Sequence, residues 1–369
     1  YTYKDIDFNG DVAGKHAKAT VHSADPNARF SLEGTASFSG QYPAIYAEAM
    51  IDSIDLQALN FYSSEMRFHG KLRADIPVLN PDYPKGVITV EEPIMTTNGK
   101  RYFLDSIYVV AAPTSDSGNN IVINAQTIKA NIWGHTPLTK VGNILQYHIE
   151  RHYSFNDSIS QAKSPTPLDV PASYDLNVMA SIEDNPILQE FVPGLTDMDT
   201  VRIEGGVTPA GIQLNADAPR LTYMDYRISD AKVRVSESDS ALSYLASVNR
   251  VYQNNIDIWF ANVSGQVQTN AVSSRIAIAD RDSNQRFLIS GLLQRNGNEQ
   301  TLSIQPDLML NYETWNVRRP NRIVFSNAGF YVDNFGISSG AESITVNSET
   351  PTYNAPIRAD ISNFMLSNI

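Results

Sequence analysis

The chain contains no cysteine. That excludes a disulfide framework, a thiolate metal site and a cysteine nucleophile, and it suits an exported bacterial protein. Charge is also scarce, at 18% of residues where a quarter is usual. Basic residues are the rarer kind: 28 Lys and Arg stand against 40 Asp and Glu, for a net charge of −12. Binding to a phosphate backbone needs a basic stripe, so no nucleic-acid partner is expected, and an anionic membrane surface exerts no general attraction. No run approaches the roughly 18–20 apolar residues of a membrane helix. No signal peptide is legible. The sequence opens at Tyr1 within a strand pattern and reads as a fragment, so missing targeting signals carry no weight. Tryptophan is sparse, with 3 residues against 18 Tyr and 14 Phe, a balance that suits half-buried strands.

What is present is strict alternation. In Asp5-Ile6-Asp7-Phe8-Asn9 the apolar side chains fall on one face and the polar ones on the other. Ile128, Ala130 and Ile132 alternate with Thr127, Lys129 and Asn131, and Ile212, Leu214 and Ala216 follow the same rule, as do Ile276 with Ile278 and Leu302 with Ile304. A period of two turns one apolar face towards something hidden from water. Turn chemistry marks the breaks at Asn9-Gly10, Asn98-Gly99, Ser117-Gly118, Gly205-Gly206 and Asn296-Gly297. The pattern Phe-x-x-x-Gly-x5-Gly occurs twice, at Phe30, Gly34 and Gly40 and at Phe287, Gly291 and Gly297. Such spacing predicts an all-β chain: a sandwich, a barrel or a long meander.

Two stretches break the alternation. Between Thr136 and Tyr153, Leu138, Val141, Leu145, Ile149 and His152 recur at threes and fours. This predicts an amphipathic helix with Thr136 as cap and Pro137 at its first position. Asn185 to Phe191 predicts a short helical turn ended by Pro193-Gly194. Residues 156–171 are rich in Ser and Pro, and 156–172 read as a linker or loop dividing the chain into segments 1–155 and 173–369. Ser240 to Gln253 fits either period and is assigned to strand because strands flank it.

Chemistry-bearing motifs fail one by one. His148 and His152 stand four apart, a zinc spacing, but Ile149 occupies the place of the zincin glutamate and no third ligand is evident. They read as surface histidines near a helix C-terminus. Gly336-Ile337-Ser338-Ser339-Gly340 matches the nucleophile-elbow pattern, yet no histidine follows it, and it reads as a loop. Asp280 to Asn284 opens like a calcium loop but has Gln285 where glycine is needed. It reads as a polar turn. Gly10 to Lys15 is one residue short of a P-loop. No catalytic residue, metal or cofactor is expected. Arg318, Arg319 and Arg322 form the one basic cluster, a solvated turn at Pro320-Asn321 or a contact for a lipid headgroup or acidic partner. Five Asp-Ser/Thr-apolar tripeptides place Ser53, Ser106, Ser158, Thr200 and Ser240 in turns entering strands, and resemble the O-glycosylation acceptor of exported Bacteroidota proteins.

The segment Leu308-Met309-Leu310-Asn311-Tyr312-Glu313-Thr314-Trp315, followed by Asn321-Arg322-Ile323-Val324-Phe325, resembles the Bacteroidota form of the TamB family, translocation and assembly module proteins of the AsmA-like superfamily. Gly99 to Ser106, Gln189 to Leu195 and Leu214 to Tyr223 are similar to the same family, so the resemblance covers most of the chain. It implies an elongated antiparallel meander curled into a U-shaped trough. It also implies a periplasmic location, an inner-membrane anchor outside this fragment and an outer-membrane barrel partner of the BamA/TamA type. The implied role is phospholipid transport between the membranes, or assembly of outer-membrane proteins. In such a trough the alternation would turn Ile6, Phe8, Val12, Phe30, Leu32, Ile128 and Ile132 towards acyl chains, with Ile212, Leu214, Ile276, Ile278, Phe287, Ile289, Leu302 and Ile304 further on. Two other classes compete. One is an exported β-sandwich binding module for glycan or protein adhesion, which would show exposed aromatics on a flat face. The other is a β hydrolase, which would need clustered carboxylates or a Ser/His pair.

Overall fold

A computed structural model of the chain describes residues 2–113, 115, 117–152 and 168–363. Among these residues strands account for 63% and helices for 6%, so the protein is all-β, a large antiparallel sheet with two short helices among the described residues. The chain forms two compact units, residues 1–141 with 171–209 and residues 142–170 with 210–369.

The first unit contains β1 (Ile6–Ala13), β2 (His16–Asp25), β3 (Ala28–Ser37), β4 (Ala44–Asp55), β5 (Arg67–Val78), β6 (Lys85–Thr97), β7 (Lys100–Phe103), β8 (Ile107–Ala111), β9 (Asn119–Asn124) and β10 (Ile128–Gly134). Helix α1 (Val141–Glu150) lies almost wholly in the second unit. The first unit then resumes with β11 (Leu176–Ile182), α2 (Pro186–Phe191), β12 (Leu195–Met198) and β13 (Val201–Thr208). From β1 to β6 each strand runs antiparallel to the next. The ladder continues through β8, β9, β10 and β11 to β13, with β7 folded onto β6.

The turn at Asn98-Gly99 has positive φ at both residues, 49° and 73°, the geometry of a two-residue hairpin. Asn9-Gly10 does not turn. Both residues lie within β1, opposite Thr20 and Ala19, and the chain reverses instead after Gly14, where φ is 62°. Gly205-Gly206 is likewise inside β13. There the backbone passes so close to β11 that a Cβ on Gly206 would meet the Leu176 carbonyl at 3.2 Å, so close strand approach, not turning, explains the glycine. The Asn185 side chain caps α2 by accepting from the Ile187 N–H at 3.0 Å, and Ile187 packs with Met66 and Met95 in a small core.

The second unit runs through β14 (Gly211–Tyr223), β15 (Tyr226–Glu237), β16 (Leu242–Gln253), β17 (Ile256–Gln268), β18 (Ala271–Ala279), β19 (Gln285–Asn296) and β20 (Glu299–Ile304) as successive antiparallel neighbours. Short strands β21 (Met309–Leu310), β22 (Glu313–Thr314) and β23 (Asn316–Val317) follow. Next come β24 (Arg322–Ser326), β25 (Gly329–Asp333), β26 (Phe335–Ser339), β27 (Glu342–Ser348) and β28 (Ile357–Ser362). β24 joins β20, whereas β23, β26, β27 and β28 form a separate four-stranded sheet. The ambiguous 240–253 segment is a strand from Leu242 on. Asp280 to Asn284 is a polar turn, in which Asp280 Oδ1 accepts from the backbone N–H of Asp282 and of Asn284, each at 2.9 Å. The Gly-x-Ser-x-Gly segment is not a loop: Gly336 to Ser339 belong to β26, and Ser338 pairs with Asn316 and Ser343.

The predicted helix forms, but with different contacts. A 3₁₀ turn over Leu138–Lys140 precedes α1, and Pro137 stands at its cap without a side-chain capping bond, so Thr136 does not cap. The buried positions are Ile144 and His148, while Leu145 and Ile149 are 40% and 48% exposed. Apolar residues cover a wide arc of this helix, and period alone does not say which half meets the sheet. Residues 156–167 of the expected linker lie outside the described residues.

Candidate functional site

In an antiparallel ladder, residues paired across strands share a face, so the register shows what each face carries. In the first unit Phe8 pairs with Val21, Val21 with Leu32, Leu32 with Ala49, Ala49 with Leu72 and Leu72 with Val90. Two positions along, a row of small and aliphatic residues runs from Gly10 through Ala19, Gly34, Ala47, Ala74 and Ile88, then on through Val109, Ile123 and Ala130 to Ala180 and Ile203. One face of the ladder is therefore apolar from β1 to β13. The opposite face carries rows such as Asn9, Thr20, Glu33, Glu48 and Arg73, laced by the Lys18–Glu33 and Arg73–Glu48 ion pairs. A groove of about 660 Å³ lies along the Phe8, Val21, Leu32, Ala49 and Leu72 row, between its polar neighbours. That volume lies within the usual range for a small-molecule site. Ile6, Phe8, Val12, Phe30, Leu32, Ile128 and Ile132 all share the apolar face, and Phe8 and Val12 are 70% and 74% exposed.

The second unit repeats the scheme. One row joins Ala216, Val233, Ala246, Val263, Ile276 and Ile289. A second joins Leu242, Val267, Val272, Leu293, Leu302 and Ile323. Between them lies a row of Leu214, Val235, Tyr244, Gly265, Ser274, Gly291 and Ile304. There the Tyr244 hydroxyl reaches the Ser273 carbonyl at 3.1 Å over the bare Cα of Gly265. Ile212, Leu214, Ile276, Ile278, Phe287, Ile289, Leu302 and Ile304 fall on this face by alternation and pairing. Phe30 and Phe287 thus sit on the apolar face of their own unit, each the third residue of its strand, with Gly34 and Gly291 on the same face.

Two of the three arginines have neighbours within the chain. Arg322 is paired with Asp333, and the Arg318 side chain lies against Gly336. The turn that holds them is not simply solvated. Asn321 is buried, accepts from the Ile304 N–H at 2.8 Å and donates to the Ile304 and Arg318 carbonyls at 3.0 and 2.9 Å. Of the five hydroxyl positions, Ser240 is exposed in the β15–β16 turn. Ser53 is half-buried within β4, and Ser106 and Thr200 are half-buried in connections. Ser158 lies outside the described residues.

The histidines are the largest departure from expectation. His148 and His152 are buried, not on the surface, and both reach the carboxylate of Glu237, whose side chain is fully enclosed. His148 Nδ1 lies 2.7 Å from Oε2, His152 Nε2 2.8 Å and Arg151 Nε 2.6 Å from Oε1. The backbone N–H of Ile212 donates to Oε2 at 2.9 Å. Burial, the largest influence, holds His148 below the ordinary histidine value despite the opposing pull of Glu237. The sequence signalled the histidine spacing but not Glu237, a strand residue far along the chain. Among the described residues no group of His, Asp and Glu is arranged to hold a metal ion, and around Glu237 the Arg151 guanidinium takes the place of a cation. No helix of the described residues is long and apolar enough to cross a membrane.

Comparison with protein-family models, with characterised proteins and with solved structures finds no match to this chain.

Proposed function

We propose that the apolar faces are a path for acyl chains, and that the chain is the periplasmic part of a TamB-like bridge. In this role it carries phospholipid between the inner and outer membranes or supports assembly of outer-membrane proteins beside a BamA/TamA-type barrel. The observation that carries this reading is the recurrence of apolar rows, strand after strand in each unit, with large side chains such as Phe8, Val12 and Ile276 left open to solvent. Extended exposed apolar surface marks a binding face. The chemistry asked of it is modest. Each methylene removed from water contributes ~0.8 kcal/mol, so an acyl chain needs a continuous lining more than any one polar contact. Ile276→Asp places a carboxylate in the middle of the Val263, Ile276 and Ile289 row. The expected result is loss of fluorescent fatty-acid binding by a folded protein. Unchanged binding by that variant would overturn the acyl path.

A further inference from the structure

Glu237 stands on the apolar face of the second unit. It pairs with Leu242 and follows Val233 and Val235 at the same alternation, in a row that is otherwise aliphatic. A carboxylate there is costly unless paired, and the C-terminal end of α1 supplies the partners: His148 from the helix, Arg151 and His152 from the turn that follows it. Gly211 makes room for the arrangement, since a Cβ there would meet the Glu237 Cβ at 3.0 Å. The helix is thus fastened onto the apolar face at its β14–β16 end, with Ile144 and His148 fully enclosed.

We infer that α1 is an acid-releasable cover of the apolar face of the second unit, with the Glu237 cluster as its catch. The charged and titratable groups facing the catch are His148 from α1, Arg151 and His152 from the turn that follows it, and Glu237 from β15. β14 contributes the Ile212 N–H, and the turn after β15 contributes the Ser238 carbonyl, which accepts from Arg151 at 3.5 Å. With His148 neutral, the Arg151 and Glu237 charges cancel. A proton added to His148 leaves an unmatched positive charge beside Arg151 in an enclosed site. A histidine held below its ordinary value contributes docking stability that is complete above about pH 6.5 and is lost as pH falls further. Acidification therefore lifts the helix and bares the Leu242 end of the apolar rows. The consequence for lipid rests on the acyl-path reading, whereas the release itself does not.

The chain has no cysteine of its own, so Gln146→Cys and Ser240→Cys, both at exposed positions, give two unique spin-label sites on α1 and the β15–β16 turn. Pulsed electron paramagnetic resonance at about pH 8 and about pH 5, on either side of the ordinary histidine value, reads the separation. Circular dichroism confirms that the strands persist. One narrow distance at the higher pH, lost at the lower, is expected. In His148→Gln/His152→Gln, which retains amide donors but does not titrate, the narrow distance should survive at both. A narrow distance at both pH values with the native histidines, or the same release in the double variant, would overturn the cover. A fluorescent fatty acid added in parallel separates the two ideas. Release without uptake supports the cover and counts against the acyl path, and uptake with α1 fixed in place does the reverse.

Discussion

Replacing Glu237 with alanine should cost more than any surface change in this protein. The carboxylate is fully enclosed, lies within 2.6 to 2.8 Å of His148, Arg151 and His152, and accepts from the Ile212 N–H. Its removal leaves a guanidinium and a backbone donor without their acceptor on an apolar face. Breaking a buried ion pair by deleting one partner costs roughly 3–5 kcal/mol. The Arg151 side chain is 20% exposed and so retains some water, which places the expectation near the lower end, about 3 kcal/mol. For a unit of this size that corresponds to a fall in Tm of about 6–12 °C. Calorimetry measures the shift, and hydrogen exchange locates it: the amides of α1 and the start of β14 should lose protection while β17 to β19 keep theirs. Glu33→Ala is the control, because the Lys18–Glu33 pair is 62% exposed on both sides. It should leave the melting temperature unchanged, as exposed pairs contribute little. A Glu237→Ala loss as small as the control's would refute the enclosure of the carboxylate.

Three further outcomes are expected. Trp315 is completely buried, so Trp315→Ala should cost about 3–5 kcal/mol in urea unfolding. Gly211 has φ 151° and lies against Glu237. Gly211→Ala should therefore destabilise by about 1–3 kcal/mol and speed amide exchange in α1. Ile276 is 43% exposed, so Ile276→Asp should express well and lose at most about 1 kcal/mol of stability, while weakening fatty-acid binding by about 10-fold or more.

The period-two pattern was the readable part of this sequence. Side chains in a strand alternate without exception unless a bulge intervenes, so Leu214 with Ala216 and Ile276 with Ile278 could be assigned to shared faces before any pairing was known. The short helical turn after Asn185 was readable because its signals are local, whereas the Asn185 cap onto the Ile187 N–H came only with the structure. Features that depend on distant neighbours were not. Gly10 and Gly206 look like turn residues, yet they serve close strand approach and an apolar row. Ser338 looks like a nucleophile and is a ladder residue. His148 and His152 look like surface charges until Glu237 is brought beneath them. The arc of α1 that is buried also follows from Glu237, because it draws His148 and His152, and with them Ile144, to the sheet. Leu145 and Ile149 are left outside.

The acyl path can be tested directly by purifying the chain without detergent, extracting it with organic solvent and identifying bound lipid by mass spectrometry. Phospholipid in near-stoichiometric amount, reduced in Ile276→Asp, is the predicted result. A lipid-free preparation that also fails to take up added phospholipid would contradict it.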